Sequence, residues 1–542
     1  MAFVAKATCN IDGRPHDGGM KLFRAMATVA GLTLVSRVLG FVRDMALASV
    51  LGAGMVADAF FIAMKLPNLF RRITAEGAFT VSFVPIYTRL RTRGSEAEAT
   101  QFASNALSGM TFILGAFCLI GILAMPLVVR GLAPGFVMGG EQFQLAVHFS
   151  RVTFPFLLMA SIAALMGGVL NAHNKFAPFA STSIILNGMM LLFLVALTPL
   201  IGNAGLAVSW GITASGIAQV VFLWWCARKE GIHLFLPKPR MDANIKELLV
   251  KMGPGVLAAG VVQINLFVDM ILGSMLGTGS ISHLYYADRL NQLPLGLVGV
   301  AIATALLPML SSALAKDEAE EASSLFSRSL EFALVLTVPA AIALALLAQP
   351  VISTLFEHGE FTAADSVVTA HVLQAYALGL VPFVLSKVFT TAFFARQDTV
   401  TPVKVSIGCA LLNIVLCLAL MFVIGVVGIA LATSIAAWVQ IGILYYMLRN
   451  VPGAQADERL RKHAPYLLYA AGIMAVILCA AFFLPFMTDS AHKGLQVLGL
   501  GALMAIGGGA YLLMIWRFRV ITIDDFKSFL KRPAKPVETP VA

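Results

Sequence analysis

The sequence predicts an all-α membrane protein that crosses the bilayer many times, and three observations support this prediction. The chain has 542 residues, of which 59% are hydrophobic and 12% charged, whereas soluble domains contain about 25% charged residues. Long apolar runs such as LLFLVALTPLIG recur along the whole chain, as expected for membrane-spanning helices. Basic residues are concentrated in alternate connections between these runs, which is typical of polytopic membrane proteins.

The apolar runs and the turn signals between them define about fourteen spans. They lie near 25–51, 55–91, 100–130, 142–171, 177–200, 204–228, 247–276, 281–314, 322–356, 364–395, 402–423, 427–448, 464–486 and 493–516. Connections on one side, such as LIGNAG, carry almost no positive charge, whereas those on the other, such as ARKEGIHLFLPKPR, are basic. The positive-inside rule therefore places both termini in the cytoplasm. It also accounts for the net charge of +10 without a nucleic-acid partner.

An internal repeat divides most of the chain into two halves. GNAGLA at 202–207 matches GVVGIA at 425–430, and two proline positions repeat at the same offset of about 223 residues. Each repeat contains six spans, so the halves share one orientation and can face each other across a central cleft, as in transporters. The predicted organisation is a disordered extension (1–19), a six-helix N-lobe (20–230), a cytoplasmic linker (231–246), a six-helix C-lobe (247–450), a terminal helix pair (451–516) and a cytoplasmic tail (517–542).

The first span contains charges that a lipid-facing helix would exclude. Arg37 and Asp44 share one helical stripe, and Arg43 lies roughly 100° away from it. A charge at the bilayer centre costs about 2.5–3.5 kcal/mol on insertion scales. This wide charged sector favours a water-filled cleft over the surface of a single neighbouring helix.

The second span repeats this pattern. Asp58, Lys65 and Arg72 lie on one stripe at seven-residue spacing. Pro67 and Gly77 predict a bend or break. The bend should bring Arg71 and Arg72 toward the cytoplasmic mouth of the cleft. In the second half, YYADRLNQLP places Asp288 and Arg289 in the eighth span.

Two interpretations of these charges remain open. They can form interhelical ion pairs that fix packing. Alternatively, Arg37, Arg43 and Arg289 converge on an anionic substrate, because arginine binds phosphate oxygens bidentately, while Asp44, Asp58 and Asp288 orient them. The second interpretation predicts a cationic cleft.

Several enzymatic motifs are missing from the sequence. It contains no GxxxxGK[ST] loop for ATP hydrolysis, no HExxH and no paired Cys/His ligand set. We therefore expect a transporter rather than an enzyme, with no cofactor and no metal site.

Five segments carry a resemblance to a known family: SRVLGFVRD, ADAFFIAMKLPNLFRRITAEGAF, FVPIY, YYADRLNQLPLG and FFARQDTVTPVK. They resemble the MurJ (MviN) family of lipid II flippases, within the multidrug/oligosaccharidyl-lipid/polysaccharide exporter superfamily. The resemblance implies a fourteen-helix bacterial inner-membrane protein whose terminal pair forms a hydrophobic groove. It also implies transport of undecaprenyl-pyrophosphate-linked disaccharide pentapeptide to the periplasmic leaflet, for peptidoglycan synthesis and cell shape. By motif, the substrate-binding residues implied are Arg37, Arg43, Asp58, Arg71, Arg72 and Arg289.

Two arrangements of Asp269 bear on how transport is coupled to an energy source. Asp269 binds a cation or proton with help from Asn413, or it pairs with Lys387 as a structural bridge. The first predicts coupling to a cation or proton gradient or to the membrane potential. Expected partners are lipid II, membrane lipids, and peptidoglycan-synthesis and division proteins.

Two other functions compete with lipid flipping. A drug/cation antiporter of the same superfamily would favour a cleft with excess acid, whereas this sequence predicts excess arginine. A membrane glycosyltransferase or ligase would need a catalytic carboxylate or histidine and usually a large outer loop, but the outer connections are short.

Overall fold

The computed structural model of the chain describes residues 17–72, 79–480 and 493–520. Within these ranges the regular structure is helical, with no strand. The helices up to residue 274 are α1 (Asp17–Leu51), α2 (Met55–Arg71), α3 (Thr80–Arg93), α4 (Glu96–Leu123), α5 (Met125–Leu132), α6 (Glu141–Thr153), α7 (Phe156–Ala172), α8 (Ala177–Ile201), α9 (Ala204–Lys229) and α10 (Ala243–Ser274). Those that follow are α11 (Ser280–Pro294), α12 (Val300–Ala315), α13 (Ala319–Leu346), α14 (Ala348–Phe356), α15 (Ala363–Ala395), α16 (Val400–Ile424), α17 (Val426–Leu448), α18 (Glu458–Ala480) and α19 (Lys493–Arg517).

Ten helical segments in the described part of the chain are long and apolar enough to cross a membrane. They are α4, α6 with α7, α8, α9, α13, α15, α16, α17, α18 and α19. The polytopic all-α class is thus confirmed, while the count of fourteen spans stays a prediction. Every candidate site residue except Lys387 and Asn413 lies in or next to four further helical stretches. These stretches are α1, α2 with α3, α10, and α11 with α12.

Helix boundaries differ from the predicted ones at functionally relevant places. The first helix begins at Asp17, inside the predicted disordered extension. Helix α2 contains Pro67 and ends at Arg71, and α3 begins at Thr80. Gly77, the second predicted bend position, lies outside the described residues. A π-helical turn, Leu295–Gly299, follows Pro294 in the eighth predicted span.

The repeat is visible in the backbone of each half. Helices α4 and α13 have the same length of 28 residues, and α8 and α16 both have 25. Gly202 and Gly425 both have positive φ angles, +72° and +60°, at the turns that precede α9 and α17. Asn174 and Gln397, which lie before α8 and α16, are also left-handed, at +61° and +63°. Positive φ angles thus recur at equivalent positions of the two halves, although ψ differs between Gly202 (6°) and Gly425 (−138°).

The chain divides into two compact units, residues 1–282 and 283–542. Helix α10 therefore groups with the first unit, although the repeat assigns it to the predicted C-lobe. At one end of α10, Arg89 donates two hydrogen bonds to Glu247, at 3.1 and 2.6 Å. At the other end, the Gly135 amide donates to Ser274 Oγ at 3.2 Å. These contacts explain the grouping, and the lobe boundaries from the repeat stay a prediction.

Aromatic side chains form much of the core of the first unit. Phe83 stacks against Phe79, Tyr87 and Phe102, with ring centroids 5.0 to 5.8 Å apart. All four are buried, so α3 is fixed against α4 by apolar contact.

In the second unit, α13 contacts both terminal helices, α18 through the buried acid Glu331 and α19 through a backbone carbonyl. Glu331 is 3% exposed and accepts hydrogen bonds from Arg328 and His463. Arg328 also donates to Asp457 at the start of α18. On α19, the Tyr511 hydroxyl donates to the Val335 carbonyl at 2.8 Å. Both terminal helices are thus held by α13, while the groove between them stays a prediction.

We expect Glu331→Ala to destabilise the protein strongly. Removing one partner of a buried ion pair typically costs about 3–5 kcal/mol, because the remaining charge is left buried without its counter-ion. Thermal unfolding in detergent measures this effect. Glu320→Ala, at an exposed position of the same helix, is the control, and equal unfolding temperatures for the two variants would contradict the expectation.

Candidate functional site

Arg43 is held by partners within the first unit. Its Nε and Nη2 atoms donate to Asp44 Oδ1 at 3.1 and 2.6 Å, and Nη1 donates to Asn187 Oδ1 at 2.7 Å. The Asn187 amide in turn donates to the Ser36 carbonyl at 3.1 Å. A Cβ at Gly40 would lie 3.3 Å from Asn187 Nδ2, so the glycine allows α8 to approach α1. Arg43 is therefore buried and ion-paired in this structure.

This arrangement matches the ion-pair interpretation for Arg43, since the side chain is only 8% exposed. Asn187 was not among the predicted site residues, although an amide inside the apolar run IILNGMMLL is itself a signal of a buried polar contact. Because Asn187 orients the guanidinium, it is a positioning residue for α1.

Arg37 lies almost two turns before Arg43 on the same helix, and the two arginines differ in exposure and in partners. Its side chain is exposed, and no hydrogen bond or ion pair joins it to any residue that the structure describes. The guanidinium of Arg37 is therefore accessible.

Asp58 contacts the first turn of α11. Its carboxylate accepts hydrogen bonds from the backbone amides of Gly279 and Ser282, at 2.6 and 2.8 Å, and from the Ser282 hydroxyl at 2.6 Å. Gln142 Nε2 lies 3.4 Å away, and Asp58 is fully buried. Because a carboxylate stabilises the unsatisfied amides of a helix start, Asp58 positions α11 in this structure. Its direct contact with substrate stays a prediction.

Arg289 is oriented along α11 by an aromatic neighbour. Its guanidinium carbon lies 4.6 Å from the ring centroid of Tyr285, one turn earlier, in a cation–π contact. Asp288 accepts a hydrogen bond from Gln292, one turn later. The π-helical turn begins six residues after Arg289, and such turns frequently mark functional sites. Neither Tyr285 nor the π turn was predicted from the sequence.

The arginine pair Arg71 and Arg72 lies at the end of α2. Arg71 Nε donates to Asn68 Oδ1 at 3.3 Å, and Arg72 is exposed. Their predicted role at the cytoplasmic mouth stays a prediction, because the segment that follows lies outside the described residues.

The candidate ion-coupling residues lie in different units. Asn413 is 1% exposed and lies 3.4 Å from Cys417 Sγ and 3.5 Å from Thr433 Oγ1. Lys387 is exposed on α15, and Asp269 is partly buried on α10. Both predicted pairings of Asp269 therefore stay predictions.

Comparison with known proteins decides the family. The family model described as "Lipid II flippase MurJ" matches residues 47–491. The chain belongs to the MurJ family. A protein of Rhizobium meliloti (strain 1021) named "Probable lipid II flippase MurJ" is 39% identical over 517 residues, covering 92% of this chain and 96% of the relative.

Solved structures agree with the MurJ family assignment. One described as "Lipid II flippase MurJ, inward closed conformation" matches with a TM-score of 0.75 and 25% identity, over 93% of this chain and 99% of its own. An inward-facing multidrug resistance MATE family transporter of the MOP superfamily shares the fold, with a TM-score of 0.65 and 15% identity, over 79% of this chain and 96% of its own. The MurJ resemblance expected from the sequence is confirmed, while the likeness to the MATE transporter is one of fold alone.

Proposed function

We propose that the chain flips lipid II, the undecaprenyl-pyrophosphate-linked disaccharide pentapeptide, from the cytoplasmic to the periplasmic leaflet by alternating access. The family match over most of the chain carries this proposal. The exposed Arg37 supports it, because an accessible guanidinium suits a pyrophosphate. The flipped lipid supplies peptidoglycan synthesis, so the site of action is the bacterial inner membrane.

The proposed topology places both termini in the cytoplasm. Helix α9 ends with Trp224 under Arg228 and Trp225 under Lys229, with the cations 4.2 and 3.6 Å from the ring centroids. At the end of α17, Arg449 lies 4.1 Å from the Tyr446 ring centroid. Aromatic and basic residues of this kind anchor helices at the membrane surface, which supports a cytoplasmic position for both ends.

The proposal also covers the partners of the protein and the energy source for flipping. Membrane lipids surround the helices, and enzymes of peptidoglycan synthesis and cell division receive the product. Asp269 and Asn413 couple flipping to an ion gradient or to the membrane potential, with Lys387 as the competing partner of Asp269. The drug/cation antiporter is the alternative, and the family match does not favour it.

Reconstitution in proteoliposomes tests the function and its coupling together. We expect labelled lipid II to become accessible to an external membrane-impermeant reagent only in vesicles that contain the protein, and faster under an imposed ion gradient or potential. Protein-free vesicles are the control, and ethidium efflux measures antiporter activity. Proton-driven ethidium efflux without lipid II movement would overturn the proposal, and unchanged flipping under all gradients would remove the coupling.

A further inference from the structure

The first unit contains a cavity of its own, with a volume of about 350 Å³. It lies among α1, α2, α7, α8 and α9, and the polar residues that line it are Thr33, Arg71, Asn171, Thr182, Ser183 and Gln219. The size falls in the range of about 300–1,000 Å³ that small-molecule sites occupy. Every lining residue belongs to one compact unit, so the cavity does not depend on how the two units are arranged.

Two amide side chains in this cavity lack partners. Gln219 is 5% exposed, and no described residue hydrogen-bonds its side chain. The buried Oδ1 atom of Asn171 also has no partner within the described residues. Buried amides are normally hydrogen-bonded, so two unsatisfied ones facing the same space indicate a polar ligand there.

The charge of the lining selects the ligand. Arg71 is a cation in the wall, and the described residues that line the cavity include no Asp or Glu. The amides donate as well as accept hydrogen bonds, since an amide can turn either way. The Thr182 hydroxyl donates to the Phe179 carbonyl at 2.7 Å, which leaves its lone pairs to accept. A phosphate group on a molecule that also carries hydroxyl groups fits this set.

The remaining lining favours a lipid as the source of that phosphate. Apolar side chains such as Phe156, Phe179 and Leu186 complete the cavity. The basic connection HNKFAP adjoins α7 and α8, and on the proposed topology it faces the cytoplasm. Basic pockets between transmembrane helices on that side bind anionic lipid headgroups.

We propose that this cavity binds the phosphate headgroup of an anionic, hydroxyl-bearing phospholipid, through Arg71, Asn171 and Gln219. The site goes beyond the proposed flipping of lipid II. Its occupancy is measured on purified protein without transport, so the two proposals fail independently.

The test uses the full chain in detergent and follows thermal unfolding as phosphatidylglycerol, phosphatidylcholine or inorganic phosphate is added. We expect only phosphatidylglycerol to raise the Tm. We expect Arg71→Gln to weaken the apparent affinity by about tenfold, and Gln219→Leu and Asn171→Leu to weaken it severalfold. Arg93→Gln and Gln101→Leu, at exposed positions of α3 and α4 in the same unit, should leave the response unchanged.

Any other result of these measurements would overturn all or part of the proposed lipid site. An equal response to phosphatidylcholine, or an undiminished response in the three cavity variants, would overturn the site. Saturation by inorganic phosphate alone would keep phosphate as the ligand and reject a lipid as its source. Native mass spectrometry of the variants that fold reports bound lipid directly, and equal retention of phosphatidylglycerol by Gln219→Leu and Gln101→Leu would refute the proposal.

Discussion

Arg37→Ala abolishes lipid II flipping and leaves the Tm of the protein unchanged. The Arg37 side chain is exposed and has no hydrogen bond or ion pair to the described residues, so its removal disrupts no packing. Loss of a bidentate contact removes two charge-assisted hydrogen bonds of about 1.5–3 kcal/mol each, which predicts a decrease in rate of about a hundredfold or more. Arg37→Lys should retain part of the activity, because the charge stays while the planar fork is lost.

Arg43→Ala gives a different result because Arg43 is buried against Asp44 and Asn187. Here both flipping and stability fall, since the carboxylate of Asp44 is left buried without its counter-ion. The double variant Arg43→Ala/Asp44→Ala should recover much of the lost stability without recovering transport. Arg93→Ala is the matched control for loss of an exposed arginine. Normal flipping by a stable Arg37→Ala protein would mean that this guanidinium does not bind the pyrophosphate.

Asp58→Ala lowers stability and loosens the start of α11. The substitution leaves the Gly279 and Ser282 amides without their acceptor, and each unsatisfied buried group costs about 1–3 kcal/mol. Asp58→Asn should have an intermediate effect, because one oxygen still accepts while the new amide group opposes a backbone donor. Hydrogen–deuterium exchange over residues 279–290 and the Tm measure both effects.

Two controls accompany the Asp58 variants. Glu141→Ala removes an exposed acid of the same unit and should change neither quantity. Ser282→Ala removes the hydroxyl donor but keeps the backbone amide, so its effect should be smaller than that of Asp58→Ala. If exchange at the start of α11 stays unchanged in Asp58→Ala, the carboxylate does not position this helix.

The sequence predicted the fold class and the helices that carry charge, because both depend on composition and on local periodicity. It could not predict partners across helices. Helical spacing places Arg43 beside a charged stripe, but only packing shows that Asn187 of α8 reaches it. The family resemblance implied that Asp58 binds substrate, which stays a prediction. The hydrogen bonds from backbone amides to its carboxylate could not be predicted, because such contacts have no signature in the sequence. The π turn after Pro294 was missed for a similar reason, since a proline predicts an irregularity but not its form.

The left-handed residues at equivalent turns have a consequence for how the two halves arose. Gly202 and Gly425 share a positive φ, as do Asn174 and Gln397, although the sequences around them have diverged. Duplication of an ancestral gene for one six-helix segment accounts for this pattern. Selection then preserved positive φ at these positions and let the side chains change, so arginines of the first helix have no counterpart at the matching positions of the other half. The two repeats could thus acquire different charged residues while they kept the same six-helix organisation.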